Sequence, residues 1–190
     1  MTDQLSAKDW LDLGLKTLAS HGFTALKAEP LSKAMGVSRG SFYWHFADLD
    51  AYHAAVLDYW REVAAERVIA DLETTPANES PLSRLLRRTF SGRLALEKAV
   101  RSWATFDPRA REAVKAIDRR RLDYVELLLR GAGLRREVAQ ARAQILYWAF
   151  VGYALSDKPL PKATQERVSD ELLRMALRPT DGGRDALKAR

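Results

Sequence analysis

Residues 37–46 read "VSRGSFYWHF" (Val37–Phe46), with a glycine, Gly36, directly before them. Gly36 supplies the backbone freedom for a tight turn, Val37 fills the angle between two helices, and Ser38 is a residue type that caps helix N-termini. The pattern predicts a short helix over Arg39–His45. Phe42 and Phe46, four residues apart, share the face that turns into a core. Tyr43, Trp44 and His45 are left on the outer side. Arg39 can make paired hydrogen bonds to a guanine edge. Gly40 has no side chain to hold the helix off a duplex, and Ser41 can bond a base or a phosphate. A second short apolar pattern, with Leu31, Ala34 and Met35, lies just upstream. Two short helices joined by a glycine turn form a helix-turn-helix, whose second helix enters a major groove by its N-terminal end.

Working outward, Leu11, Leu15 and Leu18 mark one stripe of a helix over Ala7–Ser20, with Gly22 placed to end it. On the other side Asp48 can cap a long helix reaching about Glu73, with Leu49, Tyr52, Val56, Trp60, Val63 and Val68 on its buried face. "TTPANESP" (Thr74–Pro81) is a linker, and helices are predicted over Leu82–Gly92, Arg93–Thr105, Pro108–Arg130, Leu134–Ser156 and Lys162–Leu177. No stretch alternates apolar and polar residues as a strand does. The predicted fold is all-α, about nine helices. Residues 1–50 form a three-helix head carrying the helix-turn-helix, 51–178 a helical-bundle regulatory body, and 179–190 a mobile tail.

Composition narrows the function classes. The 190 residues contain no cysteine, which removes disulfides, zinc fingers and thiol redox chemistry. The net charge is +6, yet residues 1–50 hold five basic side chains (Lys8, Lys16, Lys27, Lys33, Arg39) against six acidic ones (Asp3, Asp9, Asp12, Glu29, Asp48, Asp50). Overall basicity suits a polyanionic partner without locating the contact. No secretory signal is apparent, and the longest apolar run, Ile145–Leu155, is too short to span a bilayer. A cytoplasmic protein with no membrane partner is expected. No nucleophile–base pair or pair of carboxylates stands out as an enzyme site. His45 and His53 are separated by a helix break and lack a third strong ligand, so neither a metal nor a cofactor is expected.

At "LSKAMGVSRGSFYWHFADLDAY" (Leu31–Tyr52), preceded by "LKTLASHGFTAL" (Leu15–Leu26), the chain resembles the tetracycline-repressor (TetR) family of bacterial regulators. The order Gly-Val-Ser-x-Gly-Ser-Phe-Tyr-x-His-Phe carries the resemblance. It implies a homodimer that binds a double-stranded DNA operator and regulates transcription, as a repressor released by a small-molecule effector. It implies that Arg39, Gly40, Ser41, Tyr43, Trp44 and His45 face DNA, with Lys33 near the backbone; Ser38, at the helix start, joins them as a phosphate neighbour. Two positions depart from the family. Glu29 stands where Thr or Arg often meets phosphate, and Leu49 where a lysine is common.

The body is rich in rings. Core packing accounts for most of them, and an effector cavity between helices is the competing use. The candidate ligand residues are Trp60, Phe90, Arg101, Trp103, Phe106, Tyr124 and Tyr147, with Trp103 and Phe106 favoured because they end a helix near the head. Arg101 is expected to be exposed unless it meets an acidic ligand, and "DRRRLD" (Asp118–Asp123) reads as a solvated helix face. The helix Ala141–Leu155, with small residues Gly152 and Ala154, suggests a four-helix dimer contact together with the last helix. Candidate interface residues are Tyr147, Val151, Ala154, Leu155, Leu172 and Leu173. Two rivals remain: a DNA-binding regulator with no effector, and a helical adaptor that binds another protein.

Overall fold

The computed structural model describes residues 5–74, 80–92, 94–157 and 160–179, and every regular element among them is helical. The predicted linker falls mostly, and the predicted tail almost wholly, outside these residues. Helix α1 (Ala7–His21) starts at a capping box in which Ser6 and Asp9 satisfy each other's backbone N–H groups. It stops where Gly22, at φ 77°, donates its N–H to Leu18. A single 3-10 turn (Phe23–Ala25) leads into α2 (Ala28–Met35). Gly36 then adopts the left-handed conformation (φ 69°, ψ 27°), and the N–H of Val37 closes the turn on the Ser32 carbonyl. Helix α3 spans Arg39–His45, as its sequence predicts. Asp48 caps α4 (Leu49–Arg61) by accepting from the N–H of Ala51 at 2.7 Å.

The long helix expected after Asp48 is one continuous rod with a flaw in it. From α4 it passes through a π-helical turn (Glu62–Glu66) into α5 (Arg67–Glu73). A π turn admits one extra residue and spoils the local carbonyl pairing. The remaining helices are α6 (Pro81–Ser91), α7 (Ala95–Trp103), α8 (Pro108–Gly131), α9 (Arg136–Leu155) and α10 (Lys162–Leu177). Counting the rod as one element, nine helices lie among the described residues.

Two details of the head differ from the sequence reading. Trp10, outside the predicted leucine stripe, is fully buried and meets Phe42 edge-on at 5.4 Å. In α2, Ala34 is exposed and Ser32 is buried instead, its hydroxyl bonded to the Ala28 carbonyl at 2.8 Å. A buried serine is tolerated there because its one donor is satisfied within the helix.

The core of the head runs without a break into the body. Trp10, Leu18, Phe42, Tyr52 and Val56 belong to the same buried cluster as Trp60, Val100, Trp103 and Ile117. Helices α1 and α4 are tied closely at Gly14, where an added Cβ would lie 2.3 Å from the Tyr52 hydroxyl. That hydroxyl donates to the Trp10 carbonyl, and the Tyr59 hydroxyl donates to Asp12 at 2.6 Å. Phe23 stacks on Trp103 at 4.5 Å, clamping the 3-10 turn of the head onto α7. A movement of α4 or α7 therefore reaches the head through packed rings.

Candidate DNA-contact surface and body cavity

Helix α3 is anchored by one residue. Phe42 is 0% exposed, with Trp10, Phe46 and Tyr52 edge-on or tilted around it at 5.1–5.4 Å. Periodicity then turns its neighbours outward: Tyr43 is 45% and Trp44 76% exposed. Lys33, Ser38, Arg39 and Gly40 are also exposed, and Ser41 and His45 are half-buried. Arg39 and Lys33 carry no ion pair among the described residues. Ser38 has the extended backbone of an N-cap residue (φ −71°, ψ 158°), but its side chain makes no capping bond. That corrects the capping role expected of it and leaves its hydroxyl available.

Gly40 is informative because the fold does not ask for it. It lies inside α3, and an added Cβ would meet only the Ser38 Oγ at 3.5 Å, an ordinary contact. Glycine within a helix costs about 0.5–1 kcal/mol relative to alanine. At the departures from the family pattern, Leu49 packs partly buried against the head core, and Glu29 is exposed.

In the body, a cavity of about 340 Å³ lies between the rod and helices α6 to α9. Its walls include Trp60, Phe90, Tyr124 and Tyr147, four of the seven candidate ligand residues, together with Phe150 and the π-turn residues Val63, Ala64 and Ala65. The other three candidates lie elsewhere. Trp103 is spent on the seam, stacked on Phe23 and bonded through its indole N–H to Asp107 at 3.0 Å. Phe106 leans on Phe23 at 5.6 Å and is otherwise exposed. A helix end near the head places both rings against the head and away from the cavity. Arg101 is not exposed: its side chain, 13% accessible, is held in an ion network.

That network is the feature sequence reasoning missed. Glu97, 5% exposed, accepts from Arg101 at 2.8 Å and from both terminal nitrogens of Arg121 at 3.0 Å. Arg101 also donates to Asp118 at 2.6 Å and to the Tyr147 hydroxyl at 2.9 Å, and that hydroxyl donates to Asp118. The "DRRRLD" run is thus not wholly a solvated face: Asp118 and Arg121, one turn apart, point inward, while Arg119, Arg120 and Asp123 are exposed. Burial opposes the charge on Arg121, but the field of Glu97 and its hydrogen bonds outweigh it and hold the pKa above the ordinary arginine value. The same balance, with Asp118 as the main hydrogen-bond partner, raises Arg101. Burial, and then the bond to Asp118, raises the Tyr147 phenol. Arg121 also donates to the Ala64 carbonyl at 3.1 Å, within the π turn, and its guanidinium lies over Trp60 at 6.0 Å and Phe150 at 5.0 Å.

A third surface lies on α9 and α10. Ile145, Trp148 and Leu155, with Gly152 between them, form one exposed stripe on α9 at helical spacing, and Met175 is exposed on α10. Of the candidate interface residues, Leu155 is on this stripe, and Val151, Leu172 and Leu173 are half-buried beside the core. Tyr147 and Ala154 point inward and are buried, one on the ion network and both in the body core. Trp148, outside the candidate set, is 65% exposed. No helix among the described residues is long and apolar enough to cross a membrane.

Comparison with known proteins matches residues 11–51 to the model of bacterial regulatory proteins of the tetR family. No curated protein matches the chain significantly. Solved structures extend the likeness over the whole fold. A transcriptional regulator from Rhodococcus sp. Rha1 superposes with a TM-score of 0.72 at 21% identity, covering 91% of this chain and 96% of its own. A candidate transcriptional regulator from Saccharomonospora viridis, solved with choline, gives 0.70 at 14% identity, covering 88% and 95%. The multidrug binding protein EbrR, solved with imidazole, gives 0.59 at 23% identity, covering 96% and 100%.

Proposed function

From a chain whose residues 11–51 are a tetR-family DNA-binding head, we propose a homodimeric transcriptional regulator that binds operator DNA through α3 and loses it when a small molecule fills the body cavity. The observation that carries the DNA-binding part is Gly40. A helix that accepts a destabilising glycine where its own fold has room for a side chain keeps that place bare for something outside. Around it stand the unpaired Arg39 and the outward rings of Tyr43 and Trp44, while Phe42 fixes the rotation of the helix. Arg39 then reads base edges, and Lys33, Ser38, Ser41, Tyr43, Trp44 and His45 hold the backbone on either side. The head has few cations, so most of its grip comes from geometry, and its salt slope is correspondingly shallow.

The stripe on α9 supports dimerisation. Ile145, Trp148, Gly152 and Leu155 form an apolar face on α9, with a glycine that lets a partner helix come close, and Met175 is exposed on α10. Paired on a two-fold axis, such faces join four helices and present two copies of α3, which operator half-sites one helical turn apart require.

Release is a matter of linkage. The cavity wall contains the π turn, whose Ala64 carbonyl is held by Arg121. Arg121 holds Glu97 on α7, and α7 holds the head through Phe23 and Trp103. A ligand that repositions Arg121 changes both helices the head rests on. Couplings of this kind are about 1–3 kcal/mol, a 5–150-fold change in operator affinity. Selection of bound fragments from genomic DNA, followed by footprinting, supplies the operator. A protected pseudo-palindrome is the expected result, and protection of no defined site would remove the reading.

A further inference from the structure

We propose that the body cavity takes an uncharged, mostly apolar ligand and discriminates against both ammonium and carboxylate compounds. The inference rests on the cavity being the effector site and concerns which chemistry fits it. Three charged residues line the cavity, and each already has a partner. Glu97 and Arg121 face each other through two parallel hydrogen bonds at 3.0 Å. Arg88 is half-exposed and pairs with Asp71 at 2.9 Å. Behind them Arg101 and Asp118 complete a cluster of two cations and two anions, with no charge left over.

At the Glu97–Arg121 pair a ligand carboxylate would have to pull Arg121 from Glu97, and a ligand ammonium would have to pull Glu97 from two arginines. Either leaves the buried cluster with an uncompensated charge, which costs about a hundredfold or more in binding. Two of the rings are already taken up by a cation. Trp60 and Phe150, which an aromatic cage would use, already have the Arg121 guanidinium over them. The polar atoms still unengaged are neutral. Thr89 and Tyr124 line the cavity, and neither hydroxyl makes a hydrogen bond among the described residues.

The test uses the full chain and three probes of one shape: biphenylmethanol, biphenylmethylammonium and biphenylcarboxylate, followed by calorimetry and by the thermal midpoint. Biphenylmethanol is expected to bind at least about tenfold more tightly than either ion. Glu97→Gln, which leaves the cluster with one excess positive charge, should bring biphenylcarboxylate up to or above biphenylmethanol. Equal or tighter binding of either ion by the unmodified protein overturns the neutral-ligand assignment while leaving the cavity as a ligand site. Binding of none of the three, with no shift in the midpoint, overturns the cavity reading and this assignment with it.

Discussion

Helix α3 and the body cavity are built from the same side chains used in opposite ways. At α3 an arginine stands beside a tyrosine and a tryptophan, all turned to solvent, and the arginine has no carboxylate. In the cavity an arginine lies over a tryptophan and a phenylalanine, all buried, and a glutamate holds it by two bonds. Residue type is therefore a poor guide to role. The free guanidinium can recognise a partner because forming a new bond breaks none, whereas the saturated one sets structure and makes the site neutral.

Removing the saturated arginine should have the largest effect. Arg121→Met leaves Glu97 short of a partner and the Ala64 carbonyl uncapped, and is expected to cost about 3–5 kcal/mol of stability. A denaturant midpoint close to that of the unmodified protein would show that the cluster is not a structural unit. Removing the free one should do the reverse. Arg39→Ala is expected to leave the melting curve in place, since surface changes stay within about 0.5 kcal/mol. It should cost about 1–3 kcal/mol in operator binding, concentrated at one base pair per half-site. Loss spread evenly over all sequences would make Arg39 a backbone contact.

The seam between the regions offers a third probe. Gly14→Ala drives a methyl group into the buried Tyr52 hydroxyl, and about 1–3 kcal/mol of stability should be lost. Thermal unfolding of the variant decides whether α1 and α4 are locked or can part cheaply. A smaller effect appears in alkali. Burial raises the pKa of Tyr52, and burial with the Asp118 bond raises that of Tyr147. A phenol whose folded pKa exceeds its unfolded value contributes stability in full below the unfolded value, about 10, and loses it as pH climbs further. Unfolding free energy followed from pH 9 upward should therefore fall more steeply for the unmodified chain than for Tyr52→Phe; parallel curves would place the phenol in contact with water.

The head was legible because its determinants are local. Turn glycine, capping aspartate and the four-residue spacing of Phe42 and Phe46 all act within one or two helical turns, and α3 has the predicted bounds. Trp10 escaped because the leucine stripe beside it was the stronger pattern. In the body the helices were legible and their inward charges were not. Asp118 and Arg121 sit in a run that looks solvated, and only Arg101 and Glu97, on α7, explain why they turn inward. The π turn left no signal in a run of ordinary helix formers. Trp103 and Phe106 were correctly placed near the junction, but the rings facing them there belong to the head, and so they sit at the seam.

The central claim is that α3 leads into the major groove by its tip, with Gly40 kept bare for the approach. The most direct measurement pairs the stability of Gly40→Ala with its affinity for the footprinted operator at physiological salt. The account predicts opposite signs: a helix more stable by up to about 1 kcal/mol and an operator bound at least about tenfold more weakly. A variant that gains stability and holds its operator undiminished would contradict it.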